Sequence, residues 1–306
     1  MRKIGFIGLG NIGFVLAGHL VRAGYPVTVH DLRHEAAEEL LASGAEWADT
    51  PRAVSEVSDT VITSLPGPPQ VKKVAEGENG LIAGLRPGCT WIDMSTTNTK
   101  EVQRLGRMAE EKGVSCLEAP VTGGLALAKE GGITILVGGK KDVFDDHLEI
   151  LQVMGGKVLY MGPLGSESVV KVISNLLALG HLILAGEAFL LGKRAGIDLS
   201  ALFDGIRASS GNSYTIETEM PLVFNGTYDV GFSLALACKD LNLAYQLGRE
   251  FAVPLEMGSL IEQIFQRARL QYGDETNSTQ AVKLLEDALG DYLRADGYDP
   301  AIPLDE

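Results

Sequence analysis

An open, mostly parallel α/β sheet followed by an all-helical domain, the two joined by one long helix, is the architecture predicted by this chain of 306 residues. Three observations predict it. Up to about residue 160, short β-branched runs alternate with helical stretches, the pattern of a parallel sheet covered on both faces. After Gly165 strand signals nearly vanish and helical periodicity takes over. The change falls at a glycine-rich GPLGS (162–166), followed at once by VVKVISNLLALGHLILAGEAFLLG (169–192), which is apolar almost throughout and contains no proline.

In chain order, β-branched and apolar runs predict strands at 4–7, 27–30, 60–64, 90–93, 116–119 and 134–137. GGITILVGG, with a glycine pair at each end, frames the last of them. Helical spacing predicts helices at 13–23, 35–42, 100–112 and 142–151 between these strands. In the second half it predicts helices at 167–195, 199–209, 213–225, 237–251, 254–272 and 280–294. The expected organisation is a first domain over 1–163, a helical domain over 164–294, and a loose acidic tail, ADGYDPAIPLDE, over 295–306.

Apolar residues make up 45% of the chain and charged residues 22%, as in ordinary water-soluble domains. A net charge of −14 argues against nucleic acid as a partner, since phosphate binding wants a basic face. It leaves room for a local basic pocket that takes a small acidic molecule. Cys89, Cys116 and Cys238 are widely spaced and form no CxxC pair, which suits a reducing cytoplasm. The opening MRKIGFIGLG has basic residues before an apolar run, but the run passes straight into a glycine motif, so it is not read as a targeting signal. The window 176–191 is the most membrane-like, yet it falls short of the roughly 20 residues a span needs and carries His181 and Glu187. A buried helix is expected there and no membrane association, with Glu187 in a helix–helix contact. His19, His30, His34, His147 and His181 show no ligand spacing, and no metal is expected.

The first chemical motif is GLGNIG, with Gly8, Gly10 and Gly13 in GxGxxG spacing. The strand before it and the amphipathic helix after it make this a Rossmann-type dinucleotide turn. The backbone N–H groups of the helix N-terminus, at Asn11, Ile12 and Gly13, then face a pyrophosphate. Asp31 follows about 20 residues on, at the end of the second strand, where a carboxylate accepts the ribose hydroxyls and repels a 2′-phosphate. NAD is therefore favoured over NADP, with Arg33 softening the preference.

Four segments together resemble the β-hydroxyacid dehydrogenase family, the group of 3-hydroxyisobutyrate dehydrogenase and tartronate semialdehyde reductase. FIGLGNIGFVLAGHL is similar to its dinucleotide fingerprint. EAPVTGG (118–124) is similar to its DAPVSGG, with Glu118 for the usual Asp and Thr122 for the usual Ser. The resemblance assigns Thr122, Gly123 and Gly124 to the substrate carboxylate, and a hydroxyl beside side-chain-free N–H groups is a physically sensible anion nest. GPLGSESVVKVISN is similar to the family's GxxGxGxxxKxxNN, which places Lys171 at the catalytic lysine and Asn175 at the amide one turn on. There Glu167 stands for a glycine and Ser174 for the first asparagine. Near the hinge, Glu167 is expected to add negative charge to the site. The CKDLNLAYQL segment assigns Lys239 to the nicotinamide end of the cofactor and to substrate. SLPGPPQVKKV brings Leu65 and Pro66 over the cofactor, and IDMSTTN brings Thr96 to it.

A lysine at the head of the chain's most apolar helix must reach water, find a partner or serve chemistry. Lys171 and Asn175 lie one turn apart on one helical face, and Lys171 is expected to face the cleft between the domains. The implied reaction is NAD-dependent interconversion of a small β-hydroxy acid and its semialdehyde, with Lys171 as general acid–base. Two alternatives are imine reduction on the same fold and a non-catalytic dinucleotide-binding relative. The apolar second domain predicts a homodimer or homotetramer.

Overall fold

Strand β1 (Ile4–Ile7) is buried at every position, and the sheet grows outward from it on both sides. The computed structural model describes residues 1–298. After β1 come helix α1 (Asn11–Arg22), β2 (Val27–His30), a 3-10 turn (His34–Ala37), α2 (Glu38–Ala42), β3 (Glu46–Trp47) and α3 (Pro51–Val57). Then follow β4 (Thr60–Thr63), α4 (Pro68–Ala75), α5 (Leu81–Gly84), β5 (Thr90–Asp93), α6 (Thr99–Glu110), β6 (Ser115–Glu118), β7 (Val121–Thr122) and α7 (Gly124–Lys129). Strand β8 (Thr134–Gly139), α8 (Lys141–Met154) and β9 (Lys157–Gly162) close the sheet.

The strand order is β3-β2-β1-β4-β5-β6-β8-β7, with β9 also on β8. From β3 to β6 every pair is parallel, while β8 runs antiparallel to β6 and β7. Chain direction around the sheet reverses between β1 and β4, so their carboxyl ends flank the crevice where a doubly wound sheet takes its ligand. Alternation along the strands divides the core. Phe6 and Ile62 point to the face covered by Leu16, Leu20 and Phe144, whereas Ile7 and Val61 point to the face holding Trp91 and Leu105.

The sequence reading missed the short β3, α5, β7 and α7, and also α3, α4 and β9. Helices α3 and α4 open on proline, which reads as a loop signal but suits the first helical turn, where its missing N–H costs nothing. In α3 the hydroxyl of Thr50 completes the cap by accepting from Ala53 N at 3.1 Å. Strand β9 lies just after Gly155 and Gly156 and leaves Lys157 and Leu159 exposed, so it lacks the apolar run of a central strand.

Helix α9 (Ser166–Arg194) crosses from the first compact unit, Met1–Lys171, into the second, which begins at Val172. The first turn of α9 belongs to the first unit and bonds to the sheet, with Ser168 Oγ donating to Glu118. The second unit continues through α10 (Leu199–Arg207), α11 (Tyr214–Phe224), α12 (Leu234–Glu250), α13 (Glu256–Tyr272) and α14 (Lys283–Leu289). Its core centres on Phe189, Phe203 and Phe224, with Phe203 and Phe224 edge-to-face at 5.7 Å.

Three expectations for this unit need correction. The last helix was expected to reach residue 294 but stops at Leu289, because Gly290 turns left-handed (φ 59°) and ends it. Of the predicted tail, 299–306 lie outside the described residues. Tyr298, however, packs edge-on to Phe224 at 5.0 Å, so the tail begins on the core. Helix α9 is long and apolar enough by composition to cross a membrane, and it is buried on one face only. Ile173, Leu177, Leu184 and Leu191 remain exposed along it, as does Glu187, which was expected in a helix contact.

Candidate active site

Each glycine of the GLGNIG turn answers a different steric demand. Gly8 holds φ at +96°, and a Cβ on it would lie 2.3 Å from Ser64 O. A Cβ on Gly13 would lie 2.1 Å from Gly8 O, so the third glycine lets α1 start against the turn. Gly10 has no protein atom within 4 Å of its Cβ position. That open cradle sits at the uncapped N-terminus of α1, with Asn11 exposed and Ile12 half-buried beside it. A helix N-terminus without a side-chain cap, next to an opening that no side chain fills, fits a dinucleotide pyrophosphate.

Asp31 is folded back onto this turn. Its Oδ2 accepts from Leu9 N at 2.7 Å and its Oδ1 from Arg33 N at 3.0 Å, which pins the carboxylate at the end of β2. The exposed Arg33 guanidinium stands 3.9 Å away. On the other side of the crevice the anchor is Asp93, at the end of β5. Asp93 Oδ1 accepts from Thr63 Oγ1 at 2.7 Å and Ser95 Oγ at 2.6 Å, and Ser95 Oγ accepts from Leu65 N at 2.9 Å. One buried carboxylate thereby fixes the Leu65–Pro66 turn and the start of the loop that holds Thr96. Sequence reading took Asp93 only as the end of a strand. The signal it offered was an acidic residue closing a buried β-branched run, which is costly unless bonded.

Thr122 ends β7 opposite Thr134 of β8, and Gly123 (φ 123°) and Gly124 (φ 85°) follow it. Any side chain at Gly123 would strike Leu127, while Gly124 is exposed with open space at its Cβ position. The turn requires glycine for its angles, and Gly124 leaves open space beside it.

Lys171 and Asn175 stand one turn apart on the unbroken α9. In the second unit the Asn175 amide donates to Asp240 Oδ2 on α12. Lys239 Nζ stands 2.8 Å from Asp240 Oδ1, an ion-pair distance, although the approach is not that of a directed hydrogen bond. Asp240 is only 2% exposed and so couples two of the predicted site residues. Asp240, next to Lys239 in the chain, was not among the predicted site residues.

A family model for the NAD binding domain of 6-phosphogluconate dehydrogenase matches residues 3–162. A second, for the NAD-binding of NADP-dependent 3-hydroxyisobutyrate dehydrogenase, matches 165–285. The 2-(hydroxymethyl)glutarate dehydrogenase of Eubacterium barkeri is 33% identical over 289 residues, covering 94% of this chain and 96% of that one. The chain belongs to the β-hydroxyacid dehydrogenase family. The mitochondrial 3-hydroxyisobutyrate dehydrogenase of Mus musculus is 34% identical, over 86% of this chain and 80% of its own. Among solved structures, the 3-hydroxyisobutyrate dehydrogenase of Mycobacterium tuberculosis with L-serine has a TM-score of 0.83 at 28% identity, over 93% of this chain and 99% of that one. An imine reductase from Streptomyces aurantiacus, 20% identical with a TM-score of 0.60 over 93% of this chain and 99% of its own, shares the fold.

As a β-hydroxyacid dehydrogenase the chain is an NAD(P)-dependent oxidoreductase acting on a CH–OH group. The dehydrogenase departs from the family's motifs at Glu118 and Glu167, and here the structure corrects an expectation. Glu167 does not offer its charge to a solvent-filled site: it is 0% exposed, its Oε1 accepts from Gly165 N at 2.9 Å, and Glu118 lies beside it. Two residues that look like unrelated substitutions in the sequence form a pair in the fold.

Proposed function

We propose that this dehydrogenase prefers NAD and interconverts a small β-hydroxy acid and its semialdehyde, with Lys171 as the general acid–base. The observation that carries this reading is the joint placement of Lys171 and Asn175 on one face of α9, with Asn175 held by the buried Asp240 that also pairs with Lys239. Bound nicotinamide dinucleotide supplies the acceptor or donor of the hydride. Lys171 takes the proton from the substrate hydroxyl oxygen in oxidation and returns it to the carbonyl oxygen in reduction. The Thr122 hydroxyl and the N–H groups of Gly123 and Gly124 hold the substrate carboxylate, and Lys239 adds a second cation for substrate and cofactor.

On the cofactor side, Gly8, Gly10, Asn11, Ile12 and Gly13 take the pyrophosphate, Asp31 the adenosine ribose, and Leu65, Pro66 and Thr96 line the remainder. The preference for NAD rests on the pinned Asp31 carboxylate, which repels a 2′-phosphate. Working surroundings are a reducing cytoplasm, in keeping with free thiols at Cys89, Cys116 and Cys238. The assembly is a homodimer or homotetramer, favoured by the exposed Ile173, Leu177 and Leu184 stripe of α9 and by Met257 and Leu260 on α13. Light scattering of Leu177→Glu with Leu184→Glu, expected to give monomer, tests the assembly.

The reaction is tested by steady-state NAD reduction against a panel of β-hydroxy acids, with and without Lys171→Ala. Turnover of one acid, lost in the variant while dinucleotide still binds, is the expected result. Turnover that survives the substitution removes Lys171 from the mechanism and brings imine reduction forward. A protein that binds NAD and turns over nothing is a binding relative.

A further inference from the structure

The carboxyl group of Glu167 occupies the space of a missing side chain. Gly138 on β8 has no Cβ, and one placed there would lie 1.3 Å from Glu167 Oε2 and 2.3 Å from its carboxyl carbon. Gly138 is paired directly across the antiparallel ladder with Glu118 on β6. Side chains on such opposed positions are cross-strand neighbours, so Glu167 presents its carboxyl to Glu118 as a residue at position 138 would. Both groups are out of solvent, Glu118 at 1% exposure and Glu167 at 0%.

Hydrogen bonds fill three of the four carboxyl oxygens or their near surroundings. Glu118 Oε1 accepts from Thr97 Oγ1 at 2.6 Å, and Ser168 Oγ reaches Oε1 and Oε2 at 2.9 Å and 2.8 Å. Glu167 Oε1 takes the Gly165 N–H. Glu167 Oε2 is buried and receives a hydrogen bond from no protein donor. A cavity of about 20 Å³, large enough for one water, touches Glu118 and Asp93 but is not lined by Glu167, so a water there does not serve that oxygen. An acceptor left bare beside a second carboxylate is a costly arrangement. One proton removes both costs, since a carboxylic acid donates where a carboxylate cannot.

We propose that Glu118 and Glu167 share a single proton, forming an acid–carboxylate latch that ties the first turn of α9 to the β6–β8 ladder and so positions Lys171, one turn further along. The groups acting on Glu118 from its surroundings agree in sign. Burial raises its proton affinity most, followed by Glu167 from α9 and Asp93 from β5, while the Thr97 hydroxyl works weakly the other way. Glu101 of α6 lines the same cavity with its charge tied to Arg104, itself paired with Glu76. The latch makes Glu118 and Glu167 positioning residues. Its consequence for turnover rests on the role proposed for Lys171, whereas its effect on stability does not.

A raised carboxyl value contributes stability that is complete below the ordinary carboxyl range and is lost as pH rises toward the folded-state value. The test is unfolding of the full-length protein by urea from about pH 5 to about pH 9, compared with Glu167→Gln and Glu118→Gln. Either amide supplies a permanent donor in place of the proton. Across the latch's titration the wild-type folding constant should fall about tenfold per pH unit relative to each variant, the slope of one proton. With Glu219→Gln as the common background, because burial raises that carboxyl too, the infrared band of a protonated carboxyl should be present at neutral pH when Glu118 and Glu167 are intact and absent from both latch variants. Turnover of Glu167→Gln should lose the alkaline decline in kcat with KM unchanged.

Parallel pH slopes in all three proteins, or the absence of the protonated band, overturn the latch. Because neither readout uses substrate, the latch can fail while Lys171 remains the acid–base, and the reverse. Should an amide variant fold poorly, Gly138→Ala supplies the second route. It should displace the Glu167 carboxyl and flatten the pH slope in wild type, and be tolerated when combined with Glu167→Ala; equal cost in both backgrounds overturns the geometry.

Discussion

Replacing Asp240 probes the second unit's contribution most directly. Asp240→Ala removes the acceptor of the Asn175 amide and the counter-charge of Lys239 in one step. Breaking a buried ion pair by deleting one partner costs about 3–5 kcal/mol. Lys239 keeps 24% of its side chain in solvent and so recovers part of its hydration, which argues for the lower end. Loss of a hydrogen bond to a charged acceptor adds about 1.5–3 kcal/mol when the donor stays buried, but Asn175 is only half-buried. The expected loss is therefore about 3 kcal/mol for Asp240→Ala and roughly half of that for Asp240→Asn, whose carbonyl still accepts from Asn175. Urea unfolding measures both. A cycle pairing Asp240→Asn with Lys239→Met should show a coupling of at least about 1 kcal/mol, and kcat should drop in both single variants, with NADH affinity holding in Asp240→Asn and weakening in Lys239→Met. Additive effects with unchanged kcat would refute the idea that Asp240 links Asn175 and Lys239 into one working set.

The glycine turn separates folding from binding. Gly10→Ala meets no protein atom and should melt like the wild type, yet weaken NADH binding at least tenfold by fluorescence titration, whereas Gly13→Ala, whose Cβ meets Gly8 O, should lose about 1–3 kcal/mol of stability. Asp31→Ala should release Leu9 N and narrow the ratio of NAD to NADP affinity; an unchanged ratio would count against a ribose role. Glu219, on α11, has a buried Oε2 without a donor, and burial pushes its carboxyl up to about 7. Its contribution to stability is complete below about pH 4.5 and falls as pH rises to about 7, a loss of about 3 kcal/mol that Glu219→Gln should abolish in a pH series of urea melts.

What the sequence made legible follows from which forces act locally. The central strands β1, β2, β4 and β5 carry continuous apolar runs because both faces of a parallel sheet are buried, and such runs can be read without knowing the neighbours. The glycines of GLGNIG were equally readable, since a turn that must hold φ near +96° at Gly8 excludes other residues by itself. Helices α3 and α4 were lost because their opening prolines carry two meanings, loop or first turn, and only the chain's next contacts decide. Buried carboxylates were the least legible class. The sequence does not reveal the distant partners that hold them: Asp93 bonds Thr63, Asp240 bonds Asn175 and Glu118 bonds Ser168, 30 to 65 residues away.

The pairing of Glu118 with Glu167 shows what that blindness conceals. Taken singly, a glutamate in place of an aspartate lengthens a side chain by one methylene, and a glutamate in place of a glycine adds a charge at a hinge. Taken together around Gly138, the longer arm of Glu118 and the carboxyl of Glu167 meet in a space that only a glycine leaves open. Neither change is comfortable alone. Glu167 without an acidic neighbour able to carry a proton would bury a bare acceptor, and Glu118 without Glu167 would face the gap above Gly138. The two departures from the family pattern are therefore one structural change, and it lies one turn before Lys171 on α9.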